Sequence, residues 1–114
     1  MPAKQGRCTL SEDGRTQTWH TPTGAKHRDR DRPAVVRTDE TGRIVLREWW
    51  NFGVRHRGGD EPAVIDETDG VMREWWAHGT LHRANDMPAI VKVDGADDTS
   101  GFCEWWVEGR RHLS

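Results

Sequence analysis

The chain has no tyrosine, two cysteines, two phenylalanines and five prolines among 114 residues, and no apolar run long enough to cross a bilayer as a helix. Each scarcity excludes something. Cys8 and Cys103 are too few for a disulfide scaffold and lie in different repeat units, so reduced thiols are expected. The opening residues Met1-Pro2-Ala3-Lys4-Gln5-Gly6-Arg7 lack the apolar stretch of a secretory signal, and with no spanning segment the expectation is a soluble, cytoplasmic protein. The formal charge is only −2, so the molecule as a whole attracts neither nucleic acid nor an anionic membrane. No nucleophile elbow, phosphate-cradling glycine loop or paired C-x-x-C occurs, which removes the common signatures of catalysis. No segment carries a capped 3.6-residue hydrophobic period, which argues against helices.

What the chain does have is tryptophan, seven of them, in a sequence that is 33% hydrophobic and 32% charged. So polar a composition folds only if its apolar residues are concentrated, and here they fall in short, evenly spaced runs. A buried indole removes roughly 150–250 Å² from water, worth up to about 4–6 kcal/mol at about 25 cal/mol per Å². The tryptophans are therefore expected to supply most of a thin core.

They recur in a pattern. Arg47-Glu48-Trp49-Trp50-Asn51-Phe52-Gly53-Val54-Arg55-His56-Arg57 returns as Arg73-Glu74-Trp75-Trp76-Ala77-His78-Gly79-Thr80-Leu81-His82-Arg83 and as Glu104-Trp105-Trp106-Val107-Glu108-Gly109-Arg110-Arg111-His112. A degraded copy is Trp19-His20-Thr21-Pro22-Thr23-Gly24-Ala25-Lys26-His27-Arg28. His27, His56, His82 and His112 are spaced by 29, 26 and 30 residues, and Pro33, Pro62 and Pro88 each follow six residues after one of the first three. Met1-Pro2-Ala3 is read as the first Pro-Ala, because Pro2 to Trp19 and Pro88 to Trp105 are both 17 residues. Residues 1–114 then form a single repeat domain with units at about 2–28, 33–57, 62–83 and 88–112.

Within a unit the signals are those of antiparallel strands. Ala34-Val35-Val36, Ala63-Val64-Ile65 and Ala89-Ile90-Val91-Lys92-Val93 are β-branched runs, each opened by a proline suited to a strand's first position. Turn clusters follow at Asp39-Glu40-Thr41-Gly42, Glu67-Thr68-Asp69-Gly70 and Asp94 to Gly101, then the Trp strand, then a second turn in which Gly53, Gly79 or Gly109 supplies a positive φ. The segment after that turn, such as Val54-Arg55-His56-Arg57, is expected to run on into the next Pro-Ala as one bent strand. The fold class is all-β, an array of four antiparallel β-hairpin repeats that bury their faces by stacking on one another.

The W-W-x-x-G-x-x-H-R-x-x-x-x-P-A pattern resembles the MORN-like, or MORN-variant, hairpin repeats found in bacteriophage and giant-virus proteins, over about Trp19 to His112. The first unit departs from it with His20 in place of the second Trp, and Arg32, Glu61 and Met87 stand where a Gly often precedes Pro-Ala. The resemblance implies a MORN-like solenoid or single curved sheet used as a binding or assembly surface, without catalysis. It also implies a phage or mobile-element origin, with action in the host cytoplasm.

Adjacent residues of a strand point to opposite faces, so each Trp pair is split. A histidine is tolerated at the second position of the first unit, which places Trp19, Trp49, Trp75 and Trp105 nearer the core and Trp50, Trp76 and Trp106 toward a binding face. Trp50, Trp76 and Trp106, oriented by Arg57 and Arg83, are the candidate anchors for a protein partner. The alternative is a nucleic-acid-binding repeat protein using Trp stacking and the Lys26, Arg28, Arg30 and Arg32 cluster. Asp29 and Asp31 blunt that cluster, and nucleic acid is the disfavoured partner. A sugar ring on the Trp stripe and a structural or assembly subunit are further readings. A homo-oligomer through an open strand edge is expected if that edge is left bare.

The His-Arg steps do not converge on a metal: equivalent residues of stacked two-strand units sit roughly 9–10 Å apart, and zinc ligands lie about 2.0–2.3 Å from one ion. No metal or cofactor is expected. Each histidine is expected to bond the neighbouring unit's backbone, with its arginine paired to Glu48, Glu74 or Glu104. Glu48 and Glu74 look like a hydrolase carboxylate pair, but their recurrence in successive units points to architecture, so no catalytic residue is assigned.

Overall fold

The computed structural model describes residues 7–94 and 100–112. Its strands are β1 (Arg7–Leu10), β2 (Thr16–His20), β3 (Val35–Thr38), β4 (Ile44–Glu48), β5 (Trp50–Asn51), β6 (Val54–Arg55) and β7 (Val64–Asp66), then β8 (Val71–Glu74), β9 (Trp76–Ala77), β10 (Thr80–Leu81), β11 (Ile90–Asp94), β12 (Ser100–Val107) and β13 (Arg110–His112). The described residues contain no helix, so none is long and apolar enough to cross a membrane.

Among the described residues, one antiparallel sheet of nine strands runs in the order β1-β2-β3-β4-β7-β8-β11-β12-β13. It is an open, single-layered array of hairpins measuring 51 × 34 × 19 Å. The β-branched runs after Pro33, Pro62 and Pro88 became β3, β7 and β11, each lying between the Trp strands of successive units.

The Trp strands are interrupted rather than continuous in the second and third units. After Glu48 and Glu74 the chain leaves the main sheet and folds into small hairpins, β5-β6 and β9-β10, closed by Phe52-Gly53 and His78-Gly79. Both residues of each pair have positive φ: 47° and 84° at Phe52 and Gly53, 53° and 85° at His78 and Gly79. That is the backbone of the turn whose twist matches two antiparallel strands. The expected glycines are there, and a non-glycine residue in the left-handed region precedes each.

The expected bent strand does not form. β6 and β7 belong to different sheets, separated by a loop in which Gly59 and Asp60 both have positive φ, and Asn85 and Asp86 do the same one unit later. Two successive left-handed residues reverse the chain, so the His-Arg step and the next strand cannot be collinear. Pro2-Ala3 lies outside the described residues. The register nonetheless places Cys8 opposite Trp19, the place that Ala34 takes one step beyond the Val35–Glu48 pair.

The core is as thin as the composition requires. Ala34, Ala63 and Ala89 are completely buried, Val35, Val45 and Val64 nearly so, and among the described residues no large side chain is fully enclosed. The three alanines sit at the crossing of two strands: Ala34, Ala63 and Ala89 donate to the carbonyls of Glu48, Glu74 and Glu104. Their own carbonyls accept from the backbone N–H of Trp19, Trp49 and Trp75 in the preceding unit.

Candidate functional site

Val35, Glu48, Val64, Glu74, Ile90 and Glu104 stand opposite one another across successive strands and so share one face of the sheet. Each Glu receives the indole N–H of the Trp two residues on: Trp50 Nε1 donates to Glu48 Oε1 at 2.8 Å, Trp76 to Glu74 at 2.7 Å and Trp106 to Glu104 at 2.9 Å. These bonds put Trp50, Trp76 and Trp106 on the Glu face, half-buried. Trp49 and Trp75 point the other way and are 7% and 8% exposed. The split expected from His20 is observed in the second and third units; in the fourth, Trp105 and Trp106 are both half-buried, as is Trp19 in the first.

The second indole row is interleaved with the return strands. Lys26 Nζ lies 4.6 Å from the centre of the Trp50 ring, and the Arg55 guanidinium lies 4.8 Å from Trp50 and 4.9 Å from Trp76. Arg55 also reaches Glu48 at 3.4 Å, and Arg111 reaches Glu104 at 3.8 Å. In the third unit the equivalent residue is Leu81, paired with Trp76. The result is a ladder of cations and aromatic rings whose N–H groups are already satisfied. It offers ring edges and guanidinium planes rather than bare indole faces. The Arg55 Nε within it is buried without an acceptor, a desolvation cost that the two flanking rings offset in part.

On the opposite side of each Trp pair the His-Arg step ties units together. His27 Nδ1 accepts from the Phe52 backbone N–H, His56 Nδ1 from that of His78 and His82 Nδ1 from that of Glu108, all at 3.0 Å. The donors are the left-handed turn residues, whose N–H would otherwise be left out of the ladder. This is the backbone role expected for the histidines.

The arginines behave differently from expectation. Arg57 lies 3.8 Å over Trp49 and Arg83 3.8 Å over Trp75. Each forks onto an aspartate of the preceding unit, Arg57 onto Asp31 at 2.9 and 3.2 Å and Arg83 onto Asp60 at 2.9 and 3.3 Å. Their remaining nitrogens bond the Pro62 and Pro88 carbonyls at 3.1 Å. They do not reach Glu48, Glu74 or Glu104, because the arginine stacks on the first Trp while the Glu follows the second Trp to the other face. The return-strand residues Arg55 and Arg111 take the Glu instead. The Arg83 hydrogen bond holds the Asp60 carboxyl below its usual range.

The structure thus places Trp50, Trp76 and Trp106 together on one face and Arg57 and Arg83 in joints behind them, with side chains only 14% and 12% exposed. Of the basic cluster, Lys26 sits over Trp50, Arg28 over Trp19 at 3.8 Å, and Arg32 donates to the Asp29 carbonyl at 3.2 Å. Arg30 is exposed, with a φ of 65°. These segments converge on an open groove of about 630 Å³ between the first two units, lined among others by Arg28, Arg30, Trp49, Trp50 and Arg57. Among the described residues no cluster of three or more His, Cys, Asp or Glu is arranged to hold a metal ion.

Sequence reasoning missed the role of Asp31, Asp60 and Asp86 in joining the units. Their signal was present, since an Asp stands two residues before Pro33, Pro62 and Pro88 alike. Their carbonyls receive the first-Trp N–H groups, Trp49 to Asp31 and Trp75 to Asp60 at 3.0 Å and Trp105 to Asp86 at 3.2 Å.

One joint is expected to respond to pH. His56 is held below its ordinary pKa, first by burial and then by the neighbouring His78, whose ring centre is 4.6 Å away. The unfolded chain therefore binds more protons than the folded one below about pH 6.5, so this contribution is complete above that pH and declines as the pH falls. The urea midpoint is expected to drop between about pH 7.5 and 5.5. His56→Asn keeps an acceptor for the His78 N–H without titrating, so it should flatten the dependence. An unchanged slope in the variant would assign the effect to other groups.

Comparisons with family models, with curated proteins and with solved structures found no match to this chain.

Proposed function

We propose that this chain is a non-enzymatic protein-interaction module whose partner docks on the face carrying Trp50, Trp76 and Trp106. The observation that carries this reading is the row itself. Three half-buried indoles and their interleaved cations lie on one face of a sheet with no second layer over it among the described residues. Aromatic and arginine side chains are the residues that dominate protein interfaces. Arg57 and Arg83 support the face from behind by fixing the Trp49 and Trp75 joints.

The absence of catalysis is supported by the repeated use of each candidate carboxylate, because Glu48, Glu74 and Glu104 all accept an indole N–H. The likeness of the W-W-x-x-G-x-x-H-R pattern to MORN-like repeats of bacteriophages and giant viruses supports a phage- or mobile-element-encoded protein acting in a host cytoplasm. Nucleic-acid binding is the weaker reading. Lys26, Arg28 and Arg32 are engaged within the chain, and Trp50 is already flanked by two cations, which leaves less for phosphate or base stacking.

Affinity capture from host extract should retain a partner with the wild type that is lost with Trp50/Trp76/Trp106→Ala, and lost also with the packing-conserving triple Phe variant. Retention of the same partner by both variants rejects the assignment. A steep fall of oligonucleotide affinity between low and moderate salt would favour nucleic acid instead.

A further inference from the structure

The interior units show what completes one face of a Trp strand. In the second unit Arg57 covers Trp49, forks onto Asp31 and bonds the Pro62 carbonyl, and the same segment then pairs antiparallel with the outer edge of β4 through Val64–Asp66. In the third unit Arg83, Trp75, Asp60, Pro88 and β11 repeat every element of this arrangement. A single stretch of the form Arg-x4-Pro-Ala-strand therefore caps an indole and closes a sheet edge together.

The fourth unit has the receiving half of this arrangement. Trp105 donates to the Asp86 carbonyl as its counterparts do, at 3.2 Å. The residue after His112, however, is Leu113 where the earlier units have Arg57 and Arg83. Among the described residues no cation lies over the Trp105 ring and no ion pair engages the exposed Asp86 carboxylate. Among the described residues, Ser100–Glu104 of β12 pairs only with β11, and the N–H and C=O groups of its other edge have no strand beside them. Phe102, which occupies the register position of the covered Leu46 and Met72, is 49% exposed.

We propose that this end of the array binds an extended polypeptide segment of the form Arg-x4-Pro-Ala followed by a β-branched strand. The guanidinium enters between Trp105 and Asp86, and the strand adds antiparallel to Phe102–Glu104. The occupant is a polypeptide rather than free arginine, because the open edge continues the sheet that every interior Arg-x4-Pro-Ala segment joins. A planar fork that stacks on an indole while bonding a carboxylate is the chemistry of arginine and not of lysine. The site lies at the β12 edge and does not depend on the reading of the Trp50, Trp76 and Trp106 face.

The probe is a fluorescein-labelled peptide with the chain's own sequence from Arg83 to Val93, titrated with the intact protein and read by anisotropy. Saturable binding is expected, weakened about tenfold or more when the peptide's arginine is replaced by alanine or lysine, and similarly by Asp86→Asn in the protein. Because the peptide substitution leaves the protein untouched, a folding defect cannot mimic the result. Equal affinity of the Arg and Ala peptides, or no binding at about 1 mM protein, overturns the proposal. Sedimentation that finds the chain self-associated, with Asp86→Asn returning it to monomer, also overturns it by making a second copy the occupant.

Discussion

Trp75→Ala is expected to cost about 3–5 kcal/mol of folding stability, while Trp76→Ala, one residue on, costs about 1–2 kcal/mol. The two indoles are the same size, so the difference must come from surroundings. Trp75 is 8% exposed and is the surface against which Arg83 lies at 3.8 Å, and its N–H closes the Asp60 loop. Removing it leaves a cavity, an orphaned carbonyl and an arginine whose fork to Asp60 has lost its support, so three contacts fail at once. Trp76 is half-buried between the strands of its own small hairpin and the preceding one, and loses one bond to Glu74 and the edge of the Arg55 stack. Trp105→Ala should fall between them, since no arginine covers Trp105 among the described residues. Urea unfolding followed by circular dichroism measures all three. Equal losses at Trp75 and Trp76 would show that both rows carry the fold alike.

The second large effect is expected at Gly70. Its φ is +73°, and a Cβ there would fall onto the Val93 carbonyl oxygen, with the Asp94 Cα at 3.1 Å. Both obstacles are backbone of the neighbouring β11, so neither can rotate aside. Gly42 closes the equivalent hairpin tip of the preceding unit with φ +89° and nothing within 4 Å of an added Cβ. Gly42→Ala should therefore cost only the left-handed strain, about 1 kcal/mol, and Gly70→Ala about 3 kcal/mol or more. The comparison separates conformational strain from collision between units. Losses of equal size would mean that β8 and β11 can part at their tips without consequence, and hydrogen exchange at Val93 would then be fast in the wild type as well.

Much of this architecture is legible in the chain. Trp-Trp recurring with a Gly four residues after the first Trp defines a strand, a tight turn and a return, because period-two alternation and a positive φ are properties of a few consecutive residues. The inward and outward rows could be told apart from His20 alone, since a position that accepts histidine is less enclosed. The bent strand failed for a reason that single-strand patterns do not carry. Asp60 and Asp86 adopt left-handed φ without being glycine; the Trp of the following unit bonds the carbonyl of each, and Arg83 holds the Asp60 carboxylate as well.

The arginine partners were misassigned for a related reason. The expected partners of Arg57 and Arg83 are Glu48, Glu74 or Glu104, the carboxylates that recur in the Trp strands. The observed pairs join residues 26 and 23 positions apart, Arg57 with Asp31 and Arg83 with Asp60. By itself the sequence determined the all-β class, the repeat, the turn glycines and which indole of the second and third pairs faces inward, all of them consequences of local geometry repeated along the chain. Only the tertiary structure decided which side chains meet across units, because a joint between stacked hairpins is made by residues from two copies whose relative register no single copy encodes.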